Sequence, residues 1–339
     1  MYKVFIDGEA GTTGLKIYER LKMMDDIELL KIPQELRKDI DARKKLINMA
    51  DVVFLCLPDE AAKESVSLLD ENNSNTIIID TSTAHRVDFN FTYGFPELDE
   101  NLKSKIKSSR LIANPGCHAS GFIAAVYPLI KLNIMDKSYP FAVNSITGYS
   151  GGGKKMILDY ENTMDELYKA PRLYGMNQNH KHLKEMKALT GIEHYPVFNP
   201  IVSNFYSGMM VSTSIDCSFM KKKMSACELS KVLSDYYNKK DSLVQVMPFN
   251  EKGTESGFLS AGMLSGYDNM FIYVNGNDER ICITALYDNL GKGASGAAIE
   301  NMNIVLGRDI KSGLCIKESL KWKLLKVELL PLKDLVQME

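Results

Sequence analysis

The segment Lys3-Val4-Phe5-Ile6-Asp7-Gly8-Glu9-Ala10-Gly11-Thr12-Thr13-Gly14-Leu15-Lys16-Ile17 constrains this chain more than any other. A β-rich apolar run feeds a glycine loop, and a helical pattern follows with Leu15, Tyr18 and Leu21 on one face. Strand, tight loop and helix in that order form the first half of a βαβ unit, whose helix N-terminus favours an anion. Gly8 permits the turn and Gly11 lets backbone approach a pyrophosphate, with Thr12 and Thr13 beside it, while Gly14 lets the helix pack on the strand. The spacing is G-x-x-G-x-x-G rather than the commoner G-x-G-x-x-G, and in mid-chain it would read as a bland turn. Following the first strand, with a second strand-like run at 27–32, it predicts a dinucleotide fold.

The first third alternates accordingly. Strands are expected at 2–7, 27–32, 51–57, 76–80 and 110–114, with helices at 14–24, 40–49 and 60–70. Runs such as Asp51 to Leu57 are almost continuously apolar, which implies burial on both faces and hence a parallel, doubly wound sheet. From about 140 onward the strands lengthen and alternate, as in 209–217 and 280–287, which predicts an antiparallel sheet with one covered face in a second, α+β domain. Lys292 to Ala298 opens a late helix whose small residues allow close packing. At 339 residues and 45% hydrophobic content the chain can build two cores. A net charge of -2 gives no basic field for nucleic acid or a membrane surface, and the short lysine runs at 221–223 and 239–240 read as solvated loop faces. No stretch reaches the roughly 20 apolar residues of a membrane span, and the N-terminus enters a strand without a signal-peptide pattern, so a cytoplasmic protein is expected. Six scattered cysteines without CxxC pairs indicate neither a disulfide framework nor a zinc site.

One cysteine stands apart. In Leu111 to Gly121 an apolar strand ends, turns through Pro115-Gly116 and delivers Cys117 to a helix start, where helix N–H groups favour thiolate and the turn keeps sulfur reachable. A buried apolar cysteine is the ordinary alternative. Asp80 to Arg86 follows another strand at the carboxyl edge of the sheet, where such folds bind ligands, and Arg86 is there either an anion clamp or half of a structural ion pair. Gly148 to Lys154 fits G-x-x-x-x-G-K, but Lys155 replaces the magnesium-binding Ser or Thr, so it reads as a backbone approach to substrate or a surface turn rather than an ATP site. His180 and His182 offer an acid/base for Cys117; with no third ligand nearby in sequence, a metal is not expected. No carboxylate closes the second strand: Glu28 lies near its start and Glu35 in the following loop, while Arg37 and Lys38 come just after and suit a 2′-phosphate, or are ordinary loop cations.

Taken in order, these residues resemble the N-acetyl-γ-glutamyl-phosphate reductases, in particular their shorter subfamily. The likeness runs through Gly8–Gly14, Leu55–Ala62, Asp80–Arg86, Tyr93–Leu98, Ala113–Cys117, Gly148–Lys154, His180–Met186, Ser203–Met209 and Gly291–Ala298. It departs at Lys184, where the family usually has Pro, and at His118, where longer members carry an aromatic. The resemblance implies a Rossmann-type domain plus a catalytic domain like that of aspartate-semialdehyde dehydrogenase. The first would span 1–117 and about 293–339, with the helix after Gly293 returning to it, and the second, catalytic and oligomerising, 118–292. It also implies reduction of an acyl phosphate to a semialdehyde in arginine biosynthesis, by NADPH and through a Cys117 thioester. His182 would be acid/base, with His180 in reserve. Gly8, Gly11, Thr12, Thr13, Gly14, Arg37, Lys38, Pro58 and Gly293 would hold the cofactor, and Ser82, Arg86, Asn114, Ser150, Gly151 and Lys154 the substrate. The expected partners are a small acyl phosphate and further copies of the chain, as dimer or tetramer. Another acyl-phosphate reductase is the nearest rival and a non-catalytic dinucleotide sensor the more distant one, though a sensor needs neither Cys117 nor the histidines. The tail after 308 carries little motif information.

Overall fold

β1 (Tyr2–Asp7), β2 (Ile27–Leu30), β3 (Val52–Leu55), β4 (Ile77–Asp80), β5 (Thr92–Tyr93) and β6 (Leu111–Ala113) form one parallel sheet in the order β2-β1-β3-β4-β6-β5. The structure is a computed structural model and describes residues 1–250, 254 and 256–318; the end of the expected 293–339 segment, from 319 on, lies outside the described residues. Helices α1 (Thr12–Leu21), α2 (Ile40–Met49), α3 (Asp59–Ser67) and α4 (Glu100–Ser108) connect the strands. β3 is buried along its whole length, the physical reason for its unbroken apolar run. On one face Ile17 and Leu21 of α1 pack with Val4, Ile6, Val52, Phe54 and Ile79, and on the other Ile47 and Ala62 pack with Phe5, Val53 and Ile78. The sequence pattern did not reveal β5 and α4: β5 is only two residues long, and α4 buries a single residue, Ile106, between lysines.

At the carboxyl end of β6 the chain turns into α5 (Cys117–Lys131), which runs under a second sheet with Phe122, Ile123, Val126 and Leu129 fully buried. The approach is close because residue 121 is glycine: a Cβ there would lie 2.6 Å from Val211 Cβ and 2.8 Å from the Tyr287 hydroxyl. That sheet is built from β7 (Ala142–Gly148), β8 (Arg172–Leu173), β9 (Val197–Ser203), β10 (Met209–Asp216), β11 (Val244–Val246), β12 (Met270–Gly276) and β13 (Arg280–Tyr287), in the order β11-β12-β13-β10-β7-β9-β8. The two strands on which the antiparallel expectation rested, β10 and β13, pair antiparallel, but the sheet is mixed: β7 with β9 and β11 with β12 are parallel pairs. A parallel pair needs a long crossover, and residues 149–196 supply one for β7 and β9, carrying α6 (Gly153–Asn162) and α7 (Leu183–Thr190). α8 (Ala226–Tyr237) precedes β11, with Ser225 and Glu228 forming a capping box. After β13 a π-helical turn (Gly291–Ser295) leads into α9 (Gly296–Val305), whose Ala298, Ile299, Met302 and Ile304 pack into the first sheet's core beside Val4 and Ile17. No helix among the described residues is long and apolar enough to cross a membrane.

Candidate active site

The carboxyl ends of β1, β3, β4 and β6 open into a cleft of about 520 Å³ that the second sheet's loops close from the other side. The glycine loop forms one rim. Gly8 has φ +90°, and a Cβ there would lie 2.3 Å from the Cys56 carbonyl oxygen, while one on Gly14 would lie 2.6 Å from that of Gly8. Only glycine fits either position. Gly11 caps α1 without any side-chain bond, so the first N–H groups of the helix are left for a ligand; Thr12 and Thr13 line the cleft, and Thr12 Oγ1 is buried without a partner among the described residues. An open helix start, an orphaned hydroxyl and a loop that tolerates no Cβ suit a pyrophosphate. Pro58, capping α3, and Gly293 line the same cleft, and a Cβ on Gly293 would lie 3.0 Å from Cys117 Cβ. Arg37 and Lys38 do not line it: both are exposed beyond β2 and pair with nothing among the described residues.

Cys117 is the first residue of α5 and lines the cleft, half-buried. Contrary to the expected thiolate, burial pushes its thiol up; the Arg86 guanidinium and the His118 N–H pull it back without prevailing, and Glu185 pushes it further up. A base therefore has to accept its proton. His182 is buried at the start of α7, its Nε2 3.9 Å from Glu185 Oε1 and its Nδ1 without a partner among the described residues. A Cβ on Gly116 would lie 2.8 Å from that Nε2, so the imidazole packs against the backbone that delivers the nucleophile. Burial holds His182 well below the usual imidazole range, with Arg86 adding to the effect, so it is neutral. His180 lies beside it, ring centroids 4.7 Å apart, and is held at about 4 by burial and by Lys181 and Arg86.

Glu185 organises this corner. Its Oε1 accepts from Arg86 Nη1 at 2.8 Å, and its Oε2 accepts from the Tyr93 hydroxyl at 2.9 Å and from Gly116 N–H at 3.0 Å. Arg86 donates twice more, from Nε to the Asn114 carbonyl and from Nη2 to the Thr81 carbonyl, each at 3.0 Å. Although it lines the cleft, its charge is thus met by a buried structural ion pair. Ser82 lines the cleft too, but its hydroxyl donates to Asp80 at 2.7 Å and accepts from Ala84 N–H, inside a turn that also holds His85 against Asp80. Asn114 uses its amide to bind the Ala294 carbonyl at 3.0 Å, which fixes the cysteine turn to the π-helical turn. Ser150 accepts from Asn289 at 3.0 Å and keeps its own proton available, with Gly151 beside it on the rim. Lys154, on exposed α6, does not line the cleft.

Three functional positions were missed by motif reading. His118 is buried, its Nδ1 2.7 Å from Ser145 Oγ and its Nε2 2.7 Å from the Tyr174 hydroxyl, and burial holds it at about 3. Tyr174 lines the cleft and Tyr93 anchors Glu185. Tyr93 lay within a recognised motif and His118 stood out as a departure from the family, whereas Tyr174 had no local signal.

A dinucleotide loop at the carboxyl edge of a parallel sheet, facing a second sheet across the cleft, defines a dinucleotide-dependent dehydrogenase or reductase. Residues 3–106 match the family description "Semialdehyde dehydrogenase, NAD binding domain", and residues 117–289 match "Semialdehyde dehydrogenase, dimerisation domain". N-acetyl-gamma-glutamyl-phosphate reductase 2 of Nostoc is 42% identical over 321 residues, covering 92% of this chain and 99% of that protein. N-acetyl-gamma-glutamyl-phosphate reductase of Brucella ovis is 43% identical over 310 residues, covering 90% and 99%. The chain belongs to the N-acetyl-γ-glutamyl-phosphate reductase family of semialdehyde dehydrogenase-like enzymes. In fold it is similar to aspartate semialdehyde dehydrogenase from Francisella tularensis (TM-score 0.66, 17% identity, 90% of this chain and 100% of that one) and to the Candida albicans enzyme solved with NADP (TM-score 0.59, 15% identity, 91% and 99%).

Proposed function

We propose that this enzyme reduces N-acetyl-γ-glutamyl phosphate to N-acetylglutamate 5-semialdehyde and inorganic phosphate, with NADPH, in arginine biosynthesis. The observation that carries the reading is the placement of Cys117, at a helix start in the same cleft as the glycine loop, with a neutral imidazole, His182, whose Nδ1 has no partner among the described residues, packed behind it. Gly8, Gly11, Thr12, Thr13, Gly14, Pro58 and Gly293 hold the dinucleotide, and the exposed cations Arg37 and Lys38 select its 2′-phosphate. NADPH so held would supply the hydride for reduction of the acyl carbon. Cys117 sulfur attacks that carbon, His182 takes the thiol proton and passes it to the departing phosphate, and a thioester remains. Once reduced, the carbon is a thiohemiacetal; its collapse releases the aldehyde, and the thiolate regains a proton through His182, a step favoured by its burial. His180 is the reserve for that role. Ser150, Gly151 and Asn114 shape the substrate side, Ser82 holds the loop, and Arg86 lowers the thiol while three of its five guanidinium N–H groups hold Glu185, Asn114 and Thr81.

The reading divides the chain into a cofactor domain, 1–117 with about 293–339, and a catalytic domain, 118–292. The packing of α9 against β1 and α1 supports that division. It also makes the protein a cytoplasmic homo-oligomer, dimer or tetramer. The test is phosphate-dependent oxidation of N-acetylglutamate semialdehyde, run beside aspartate semialdehyde with NADP+. Clear preference for the first is expected; preference for the second would reassign the substrate.

A further inference from the structure

A second group of buried charges lies outside the cleft. Lys292, on the π-helical turn, is 2% exposed; its Nζ donates to Glu97 Oε1 at 2.7 Å and to Glu300 Oε2, and lies 5.1 Å from the centre of the Phe95 ring. Glu97 belongs to the short turn Pro96–Leu98 and Glu300 to α9, with side chains 5% and 1% exposed. One ammonium against two ionised carboxylates leaves a surplus negative charge away from water, unless one carboxyl keeps its proton. A separate observation points the same way: Glu97 Oε2 is buried without a partner among the described residues, and a protonated Glu300 supplies the missing donor. Burial and the Glu97 charge push the Glu300 carboxyl up to about 8 in spite of Lys292. Around the small cavity beside the pair, Glu100 is exposed and bound to Lys239 at 2.7 Å, with Lys103, Lys240 and Asp241 along the same lining. Tyr236 and Tyr237 of α8 also line it, and donate their hydroxyl protons to the Leu98 and Ala124 carbonyls.

The turn that carries Lys292 also reaches the nucleophile. Gly293 packs against Cys117, whose Cβ would lie 3.0 Å from a Cβ added there, and the Ala294 carbonyl holds Asn114 of the cysteine turn at 3.0 Å. We propose that Glu97 and Glu300 hold one proton between them, and that Lys292, neutralised by the remaining charge, is a positioning residue that keeps the π-helical turn against Cys117. Glu97 also accepts from Leu243 N–H at 3.2 Å, so the cluster ties the turn to the start of β11 as well as to α9. A buried ion pair holds its members in one arrangement, because any displacement exposes a charge to a medium that does not solvate it. The turnover measurement below rests on the reductase reading; the stability and alkylation measurements do not, so the two can fail separately.

Glu300→Gln tests the shared proton, because an amide donates to Glu97 and accepts from Lys292 at every pH. Glu300, raised above an ordinary 4.5, holds a proton in the folded chain that it has lost when unfolded. Its contribution to stability is therefore complete below pH 4.5 and is lost as pH rises through about 8. Between pH 5 and pH 9 the urea midpoint of wild type, measured against that of Glu300→Gln, is expected to fall by about 0.5–1 M. The same difference at both pH values would overturn the shared proton. Lys292→Met alone would leave an unmatched buried charge, so the positioning role is tested with Lys292→Met and Glu97→Gln together, which keeps the cluster neutral. In that double variant kcat is expected to fall at least about tenfold. Iodoacetamide alkylation of Cys117, followed by mass spectrometry of its peptide, should speed up at least about threefold while buried Cys217 stays protected. Glu97→Gln alone leaves Lys292 paired with Glu300 and should stay within about threefold of wild type in both measurements. Unchanged turnover and Cys117 alkylation in the double variant would overturn the positioning role, as would a rise in Cys217 alkylation equal to that of Cys117.

Discussion

Glu185→Gln removes one charge from a buried cluster and barely alters its shape. Glu185 is 1% exposed and Arg86 9%, and the carboxylate serves three donors: Arg86, Tyr93 and Gly116 N–H. An amide offers a single acceptor oxygen, so its NH₂ group must face either the guanidinium or the Tyr93 and Gly116 donors, and Arg86 is left buried without a counter-charge. Breaking a buried pair in this way costs about 3–5 kcal/mol, a large part of the roughly 5–15 kcal/mol that keeps a protein folded. Differential scanning should record a Tm lower by about 5–15 °C. The same substitution acts on the nucleophile with a definite sign. Glu185 pushes the Cys117 thiol up and Arg86 pulls it down, so with the carboxylate gone the thiol titrates at lower pH. Iodoacetamide alkylation followed against pH at a temperature where the variant is folded measures this directly. A variant as stable as wild type, or a thiol that titrates at the same or higher pH, would refute the account of Glu185 as the hub of the site.

Cys117→Ser should abolish turnover while NADPH binding, followed by fluorescence titration, persists, since an alkoxide is far harder to form near neutral pH than a thiolate; near-wild-type rates would remove the covalent mechanism. His182→Ala should slow the reaction by about 100-fold or more, and a larger loss in His180→Ala would transfer the acid/base role to that residue. Replacing Arg37 and Lys38 by Ala should weaken NADPH by about 1.5–3 kcal/mol and leave NADH nearly unaffected, whereas equal losses for both cofactors would defeat their assignment to the 2′-phosphate. Stability should fall with acid from pH 6.5 downward. His118 and His180, held at about 3 and about 4 against an ordinary 6.5, bind fewer protons folded than unfolded. Their contribution is therefore complete above pH 6.5 and is lost as pH drops toward those values. For buried His118 the loss is up to about 1.4 kcal/mol per pH unit. Urea midpoints for wild type and His118→Phe at pH 7 and pH 5 check this; an equal acid response in both proteins would show that His118 does not contribute.

The amino-acid sequence by itself determined the features that depend on neighbours along the chain. Continuous apolar runs specify buried parallel strands, the glycines at 8, 11 and 14 specify a loop on which a phosphate can sit, and Pro115-Gly116 places Cys117 at a helix start. The family was legible as well, because many dispersed motifs occur in one order. Tertiary structure decided what depends on desolvation and on partners far away in the chain. Arg86 reads equally well as an anion clamp or an ion pair until Glu185, 99 residues on, comes within 2.8 Å and settles its charge. Cys117 has the local setting of a thiolate, yet burial beneath the second sheet and the nearby Glu185 make it a thiol. No local pattern marks the pairing of β7 with β9, and the polar, turn-like residues from Asn199 onward read as a loop; the crossover through α6 and α7 makes them a parallel pair. Lys154 and Lys181 are both lysines within glycine- or histidine-rich motifs, and only the fold separates them: Gly153 and Met156 of α6 line the cleft while Lys154 does not, whereas Lys181, at the entry to α7, does. Propensity and pattern act over a few residues, whereas the field at a buried atom is the sum over every group that folding brings within a few ångströms.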